Sequence, residues 1–265
     1  MSALDLALHD GWVVAKRNLI KVKRIPDLLI FSTIQPIMFV LLFAYVFGSA
    51  IPVPGVNYKE FLMPGIFVQT VAFGASITAV GLADDLQKGM VDRFRSLPMS
   101  RSAVLIGRTT SDLLNNVLVV IIMSLTGLIV GWRIHTGFWD GLAGYLILLA
   151  FAYAMSWISA LIGLSVKSVE VAQSAGFIWL FPLTFLSNAF VLTDNMPPVL
   201  KTIADWNPIS SVVLSLRDLW GNAGLTRPPG IPGDYPIPLA IGWTLLILIV
   251  FIPLSIAKYR QAAAR

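Results

Sequence analysis

Asp84-Asp-Leu-Gln-Lys-Gly-Met-Val-Asp-Arg-Phe-Arg-Ser-Leu-Pro-Met-Ser-Arg101 is the most charged stretch of a chain that is otherwise apolar. Long apolar runs precede and follow it, so both of its ends lead into a membrane. Its middle, 90–97, has helical spacing. Met90, Phe94 and Leu97 share one face, and Asp92, Arg93, Arg95 and Ser96 cover the rest. Pro98 biases Leu97 away from the helical region and ends that helix. Ser100 can cap the next one. A short amphipathic helix across the mouth of a membrane bundle can dock into a groove of a soluble partner. A basic loop that only fixes topology would carry the same charges.

The composition sets the solvent. Of 265 residues, 57% are hydrophobic and 12% are charged, about half the roughly 25% charge of a soluble domain. Six apolar runs approach the roughly 20 residues that cross a bilayer. The gaps between them are too small for a separate soluble domain. The expected fold is therefore one all-α integral membrane domain, 1–265. With no cysteine, disulfides and thiolate chemistry are excluded. His9 and His135 lie outside the apolar runs and far apart, so no metal cluster is indicated. The net charge of +5 does not point to nucleic acid, because the basic residues sit at helix ends, as a bilayer sorts them.

Residues 2–25 read as an amphipathic interfacial helix rather than a signal peptide. Asp5, His9 and Asp10 interrupt any apolar core, while Leu4, Leu8, Trp12, Ala15, Leu19 and Val22 form one stripe. Pro26 turns the chain into the bilayer. The spacing places spans at about 28–48, 61–83, up to 131, 142–166, 172–192 and 239–257. Gln35-Pro36 marks a kink in the first, and Pro64-Gly65, Gln69, Gly74 and Gly81 mark close packing or a cavity wall in the second. Arg108 and Asp112 are one turn apart near the start of the third. A charge at bilayer centre costs about 2.5–3.5 kcal/mol, so an ion pair at a helix end is expected, with a proton-relay role for Asp112 as the alternative. Asn115 and Asn116 read as interhelical hydrogen-bonding groups, and Gly127 and Gly131 as a GxxxG packing pair.

The segment 194–238 carries two helix signals. Asn195 can cap a helix with Pro197 and Pro198 in its first turn, and Asn207-Pro208 repeats the pattern. Ile209, Val212, Val213, Leu216, Leu219 and Trp220 then form an apolar face ending near Gly221. Each helix is too short to cross, so the pair reads as an outer re-entrant hairpin between the fifth and sixth spans. Fourteen of the 19 Lys and Arg residues fall on the side of 84–101 and both termini. Five, namely Lys59, Arg133, Lys201, Arg217 and Arg227, fall on the other. That asymmetry places both termini in the cytoplasm of a multi-pass cell-membrane protein.

Enzyme chemistry finds no support. Gly163-Leu-Ser-Val-Lys-Ser168 lacks the glycine a phosphate loop needs before its lysine, and no dinucleotide fingerprint appears. Neither histidine lies within a span to serve an intramembrane serine nucleophile. Asp84 and Asp85 are adjacent, so on a helix they point about 100° apart and make a poor metal pair.

Several stretches resemble the permeases of the ABC-2 type, and within them the daunorubicin-resistance (DrrB-like) drug-exporter branch. They are Arg17-Asn18-Leu19, Arg24-Ile-Pro26-Asp27, Gln35-Pro36 to Phe47-Gly48, and Phe61-Leu-Met-Pro64-Gly65. Asp85 to Gly89 with Asp92 to Arg101, and Trp206-Asn207-Pro208-Ile209-Ser210 up to Arg217, complete the series. A common family form has Glu where this chain has Asp84 and Asp85. The resemblance implies six spans, a second permease, identical or homologous, and two cytoplasmic ATP-binding-cassette subunits that bind ATP and Mg, with no cofactor on this chain. It makes 84–101 the coupling segment, with Asp85, Gly89, Met90, Asp92, Arg93, Phe94, Arg95, Leu97 and Pro98 facing the ATPase. It runs the substrate path near spans one, two and five, where Gln35, Gln69, Phe73, Phe181, Phe185 and Asn188 are candidate lining. The expected function is export of hydrophobic drugs or lipid-like molecules. The alternatives are a permease for a lipid-linked polysaccharide and a non-transporting membrane sensor or assembly factor.

Overall fold

The computed structural model describes residues 26–47, 55–89, 103–224 and 227–262, and every regular element among them is helical. The interfacial helix expected at 2–25 and the amphipathic helix expected at 90–97 lie outside the described residues. Helix α1 (Pro26–Leu42) runs into a π-helical turn at Phe43–Phe47. Then come α2 (Tyr58–Gly74), α3 (Ser76–Gln87), α4 (Ala103–Val130), α5 (Phe138–Gly163) and α6 (Val169–Phe185). Two short helices, α7 (Pro198–Asp205) and α8 (Pro208–Trp220), precede the single turn α9 (Ile231–Asp234) and the final α10 (Pro236–Ala262).

Among the described residues, four stretches are long and apolar enough to cross a bilayer: Tyr58–Gln87, Val104–Val130, Phe138–Gly163 and Pro236–Gln261. Two further apolar helices, Ile34–Val46 and Val169–Phe185, are shorter. Rows of large apolar side chains, such as Ile121, Leu125 and Ile129 on α4 and Leu245, Leu246 and Ile249 on α10, face outward. Such rows require hydrocarbon as their solvent, which makes this a multi-pass membrane protein.

Helix α5 is the central post, packed against α10, α3, α8, α4 and α2. Small residues allow the close approach. A side chain at Gly163 would collide with the backbone of Ala79 on α3, and one at Gly144 would meet the Trp220 indole. Phe67, Trp132, Tyr145 and Trp220 form an aromatic cluster with ring centroids 5.0–5.4 Å apart along the chain of contacts. Trp132 Nε1 donates to Asn222 Oδ1 at 2.8 Å and Trp220 Nε1 to the Gly141 carbonyl at 3.2 Å, so both buried indoles find acceptors.

Three expectations need correction. The fifth span was expected to reach Leu192, but α6 ends at Phe185. Pro182 weakens the last turn, and the Asn207 side chain then takes the terminal carbonyls of Leu183 and Leu186, both at 2.7 Å. Gly131 is not a helix-packing residue. It sits beyond the end of α4 at φ +104, where a side chain would be strained, and closes the helix by donating to Gly127 O at 3.1 Å. Helix α7 starts later than a cap at Asn195 would set: Pro197 holds the N-cap position, and Asn195 belongs to a 3-10 turn.

Candidate functional site

Between α1, α2, α3, α4 and α6 lies a cavity of about 300 Å³. Five of its lining residues are aromatic: Phe39, Phe73, Phe177, Phe181 and Phe185. Residues 177, 181 and 185 follow each other at one-turn spacing on α6. Phe181 stacks on Phe185 at 5.3 Å, and Phe73 meets Phe181 edge-on at 5.5 Å. Four lining residues are amides, Gln35, Gln69, Asn115 and Asn116, and Gln35 and Gln69 stand one turn before Phe39 and Phe73 on the same helices. Among the described residues, none that lines the cavity is charged. The wall also includes Gly74, Ser76 and Ile77, around the one-residue interruption that separates α2 from α3. Such a lining accepts flat apolar rings and offers both donors and acceptors.

Five of the six residues expected along a substrate path therefore meet at one cavity: Gln35, Gln69, Phe73, Phe181 and Phe185. Asn188 does not. It is buried beneath α8, where its backbone N–H donates to Ser210 Oγ at 3.0 Å and its carbonyl accepts from Arg217. Asn115 and Asn116, expected to bond between helices, stand on the cavity wall. Phe39 and Phe177 were missed; the signal for Phe177 was its one-turn spacing from Phe181.

Helix α8 forms where expected. Asn207 Oδ1 accepts from Ile209 N at 2.8 Å and caps its start, and Gly221 at φ +71 ends it. It is nevertheless not half-apolar in use, because Ser210, Ser211, Ser215 and Arg217 are buried along with its apolar face. Arg217, read from the sequence as an outer loop cation, is 2% exposed. Its Nε donates to Phe61 O at 3.0 Å and its Nη2 to Asn188 O at 2.9 Å and Ala189 O at 3.3 Å. Those carbonyls come from the start of α2 and from the irregular stretch after α6. Arg217 thus fastens three segments at one end of the bundle, and Gly65 lets that stretch come close, since a side chain there would strike the Ala189 carbonyl. Nearby, Arg227 Nη2 pairs with Asp218 Oδ1 at 2.7 Å. Burial holds the Asp218 carboxyl above the ordinary carboxylate range, and Arg227 pulls the other way.

At the opposite end, Gln87 Nε2 donates to Lys167 O at 3.3 Å, bringing the end of α3 to the turn before α6. Asp84 pairs with Lys88 at 2.8 Å. Of the expected coupling residues, Asp85 lies in the last turns of α3. Gly89, at φ +62, closes that helix by donating to Leu86 O at 3.1 Å. Met90, Asp92, Arg93, Phe94, Arg95, Leu97 and Pro98 lie outside the described residues. The expected Arg108–Asp112 pair forms at 3.3 Å between α4 and α3, with Asp112 buried and Arg108 partly exposed.

Comparison with known proteins sets this architecture in a family. The sequence pattern of the ABC-2 type transporter family matches residues 10–219. The chain is 32% identical to the daunorubicin resistance ABC transporter permease protein DrrB1 of Streptomyces coeruleorubidus, over 99% of this chain and 89% of that one. It is 26% identical to the putative transport permease ycf38 of Cyanophora paradoxa, over 92% and 85% of the two chains. It is 22% identical to the probable doxorubicin resistance ABC transporter permease protein DrrC of Mycobacterium tuberculosis, over 80% of each. With a full-length match of this kind over an all-helical, multi-pass frame, the chain belongs to the ABC-2 type transporter family.

Proposed function

We propose that this chain is the membrane permease subunit of an ATP-driven exporter of hydrophobic, ring-bearing drugs. The observation that carries the reading is a pocket whose described lining combines phenylalanines and amides without a charge, in a chain whose relatives bear names of daunorubicin and doxorubicin resistance. The chain supplies the path and no ATPase site. Two cytoplasmic ATP-binding-cassette subunits supply ATP and Mg chemistry, and a second permease, identical or homologous, completes the complex.

In this reading α1 and α6 join the four long helices as the fifth and sixth spans. Residues 2–25 lie along the membrane interface, α7 and α8 dip in from outside, and both termini are cytoplasmic. Closure of the ATPases pulls on 84–101, and α3 carries the pull to the cavity. A permease for a lipid-linked polysaccharide would call for a long channel lined for sugars, and a pocket of about 300 Å³ lined by phenylalanines and amides favours a ring-bearing ligand instead.

The test is reconstitution of the chain with its co-purifying ATPase, with daunorubicin as the probe. Daunorubicin should stimulate ATP hydrolysis and be moved across the bilayer, and joint replacement of Phe94 and Arg95 should abolish both while leaving the spans folded. No co-purifying ATPase, or no response to any apolar ring compound, would turn the reading toward a membrane sensor.

A further inference from the structure

We propose that Arg108 and Asp112 are positioning residues that carry movement of the cytoplasmic segment into the cavity wall, by fastening α3 to α4 just past the interruption at Ala75. The proposal rests on the transport reading above for its purpose, and on independent geometry for its mechanism.

Helices α2 and α3 form one apolar stretch, Tyr58–Gln87, interrupted only at Ala75. Gly74 and Ser76 flank that point. Glycine is a weak helix former, and Ser76 Oγ donates back to Phe73 O at 2.7 Å, an arrangement that bends helices. Gly74, Ser76 and Ile77 all face the cavity, so a change of angle here changes its wall. Helix α3 then runs without a break to Gln87, and the chain continues through Lys88 and Gly89 to 90–101. A pull on that segment reaches α3 first.

Immediately past the interruption, α4 grips α3. Arg108 Nη2 donates to Ile77 O at 3.0 Å, and Thr78 Oγ1 donates to Asp112 Oδ2 at 2.5 Å. Arg108 Nε closes the set on the same Asp112 oxygen at 3.3 Å. One turn further along α4, the Asn116 side-chain oxygen stands against Gly74. Residues 108, 112 and 116 thus follow the interruption as a single stripe at one-turn spacing.

Gly81 is an independent sign that this seat is built. A side chain at 81 would occupy the place of the Arg108 guanidinium. The missing Cβ opens a notch, and the planar fork fills it, bonding a carboxylate through Nε and a carbonyl through Nη2. An ammonium cannot reproduce that two-directional grip. A partly buried pair of this kind adds little net stability compared with apolar packing, so what it supplies is register between two helices.

The experiment uses the full chain with its ATPase in lipid nanodiscs and reads amide hydrogen exchange over 75–80, with and without a non-hydrolysable ATP analogue. In the wild type, nucleotide should change exchange there by at least about threefold, with α5 and α10 unaltered. In R108K and in G81A, which leaves both charges in place, the nucleotide-dependent change should vanish. Both variants should keep ATPase association and basal hydrolysis, and lose ligand stimulation. Wild-type exchange that ignores nucleotide at 75–80, or variants that keep the full nucleotide response, would overturn the proposal. Failure of daunorubicin to bind the wild type would instead count against the cavity reading alone, because the exchange measurement needs no ligand.

Discussion

The guanidinium of Arg217 lies over the ring of Phe61, 3.5 Å from its centroid, while its Nε bonds the Phe61 carbonyl. One residue of α2 therefore holds the same cation through its ring and its backbone. Replacing Arg217 by Met should destabilise the chain by about 2–4 kcal/mol, because three carbonyls lose their donors in a dry site. F61L keeps the hydrogen bonds and removes the ring, so it should cost only about 0.5–2 kcal/mol. Thermal unfolding of the purified variants in detergent ranks the two.

A single amide caps two helices at Asn207. Its oxygen takes the N–H of Ile209 at the start of α8, and its nitrogen takes the carbonyls that end α6. Alanine should cost about 1–2 kcal/mol. Aspartate keeps the oxygen but sets a negative charge against two carbonyls, so N207D should be no more stable than N207A. The same unfolding measurement checks the order.

Gly65 and Gly242 both lie in apolar helices, and the structure separates them. A Cβ at 65 strikes the Ala189 carbonyl, whereas one at 242 meets open space. G65A should sharply reduce the folded yield in membranes. G242A should leave it unchanged, or raise it slightly through better helix propensity.

The aromatic and the amide residues of the pocket should separate by ligand. F73A removes a ring that touches Phe177 and Phe181, and should weaken binding of an aromatic probe about tenfold, in line with about 1–1.5 kcal/mol for an aromatic contact. Q69L should spare a purely hydrocarbon ring probe and weaken one that bears carbonyl or hydroxyl groups by about the worth of one hydrogen bond, about 1 kcal/mol. Fluorescence titration with matched probes gives both values. Equal effects of both variants on both probes would argue against distinct aromatic and polar contacts in the pocket.

Much of this fold was readable because its determinants are local. The apolar runs, the Asn207 cap, the Gly221 stop and the Arg108–Asp112 pair each depend on neighbours within one or two helical turns. Solvent preference, capping and i to i+4 spacing therefore reveal them in the linear chain. The end of α6 was not readable in this way. Pro182 marks a weak point, but the helix stops at Phe185 because Asn207 arrives from 21 and 24 residues away to take its carbonyls. Arg217 shows the same limit. By sequence it is one more outer cation, and only packing reveals it as a buried clamp on segments up to 156 residues distant.

The sequence by itself determined the solvent, the helices and the residue types available for a path, because burial in lipid is decided by composition and one-dimensional periodicity. Which of those residues meet was decided by tertiary structure alone. Gln35, Gln69, Phe73, Asn116 and Phe181 share a cavity, and Asn188 is withdrawn from it, because glycine notches at 65, 81, 144 and 163 set how closely the helices approach. The size of a void depends on what stands opposite it, and the linear chain does not state that.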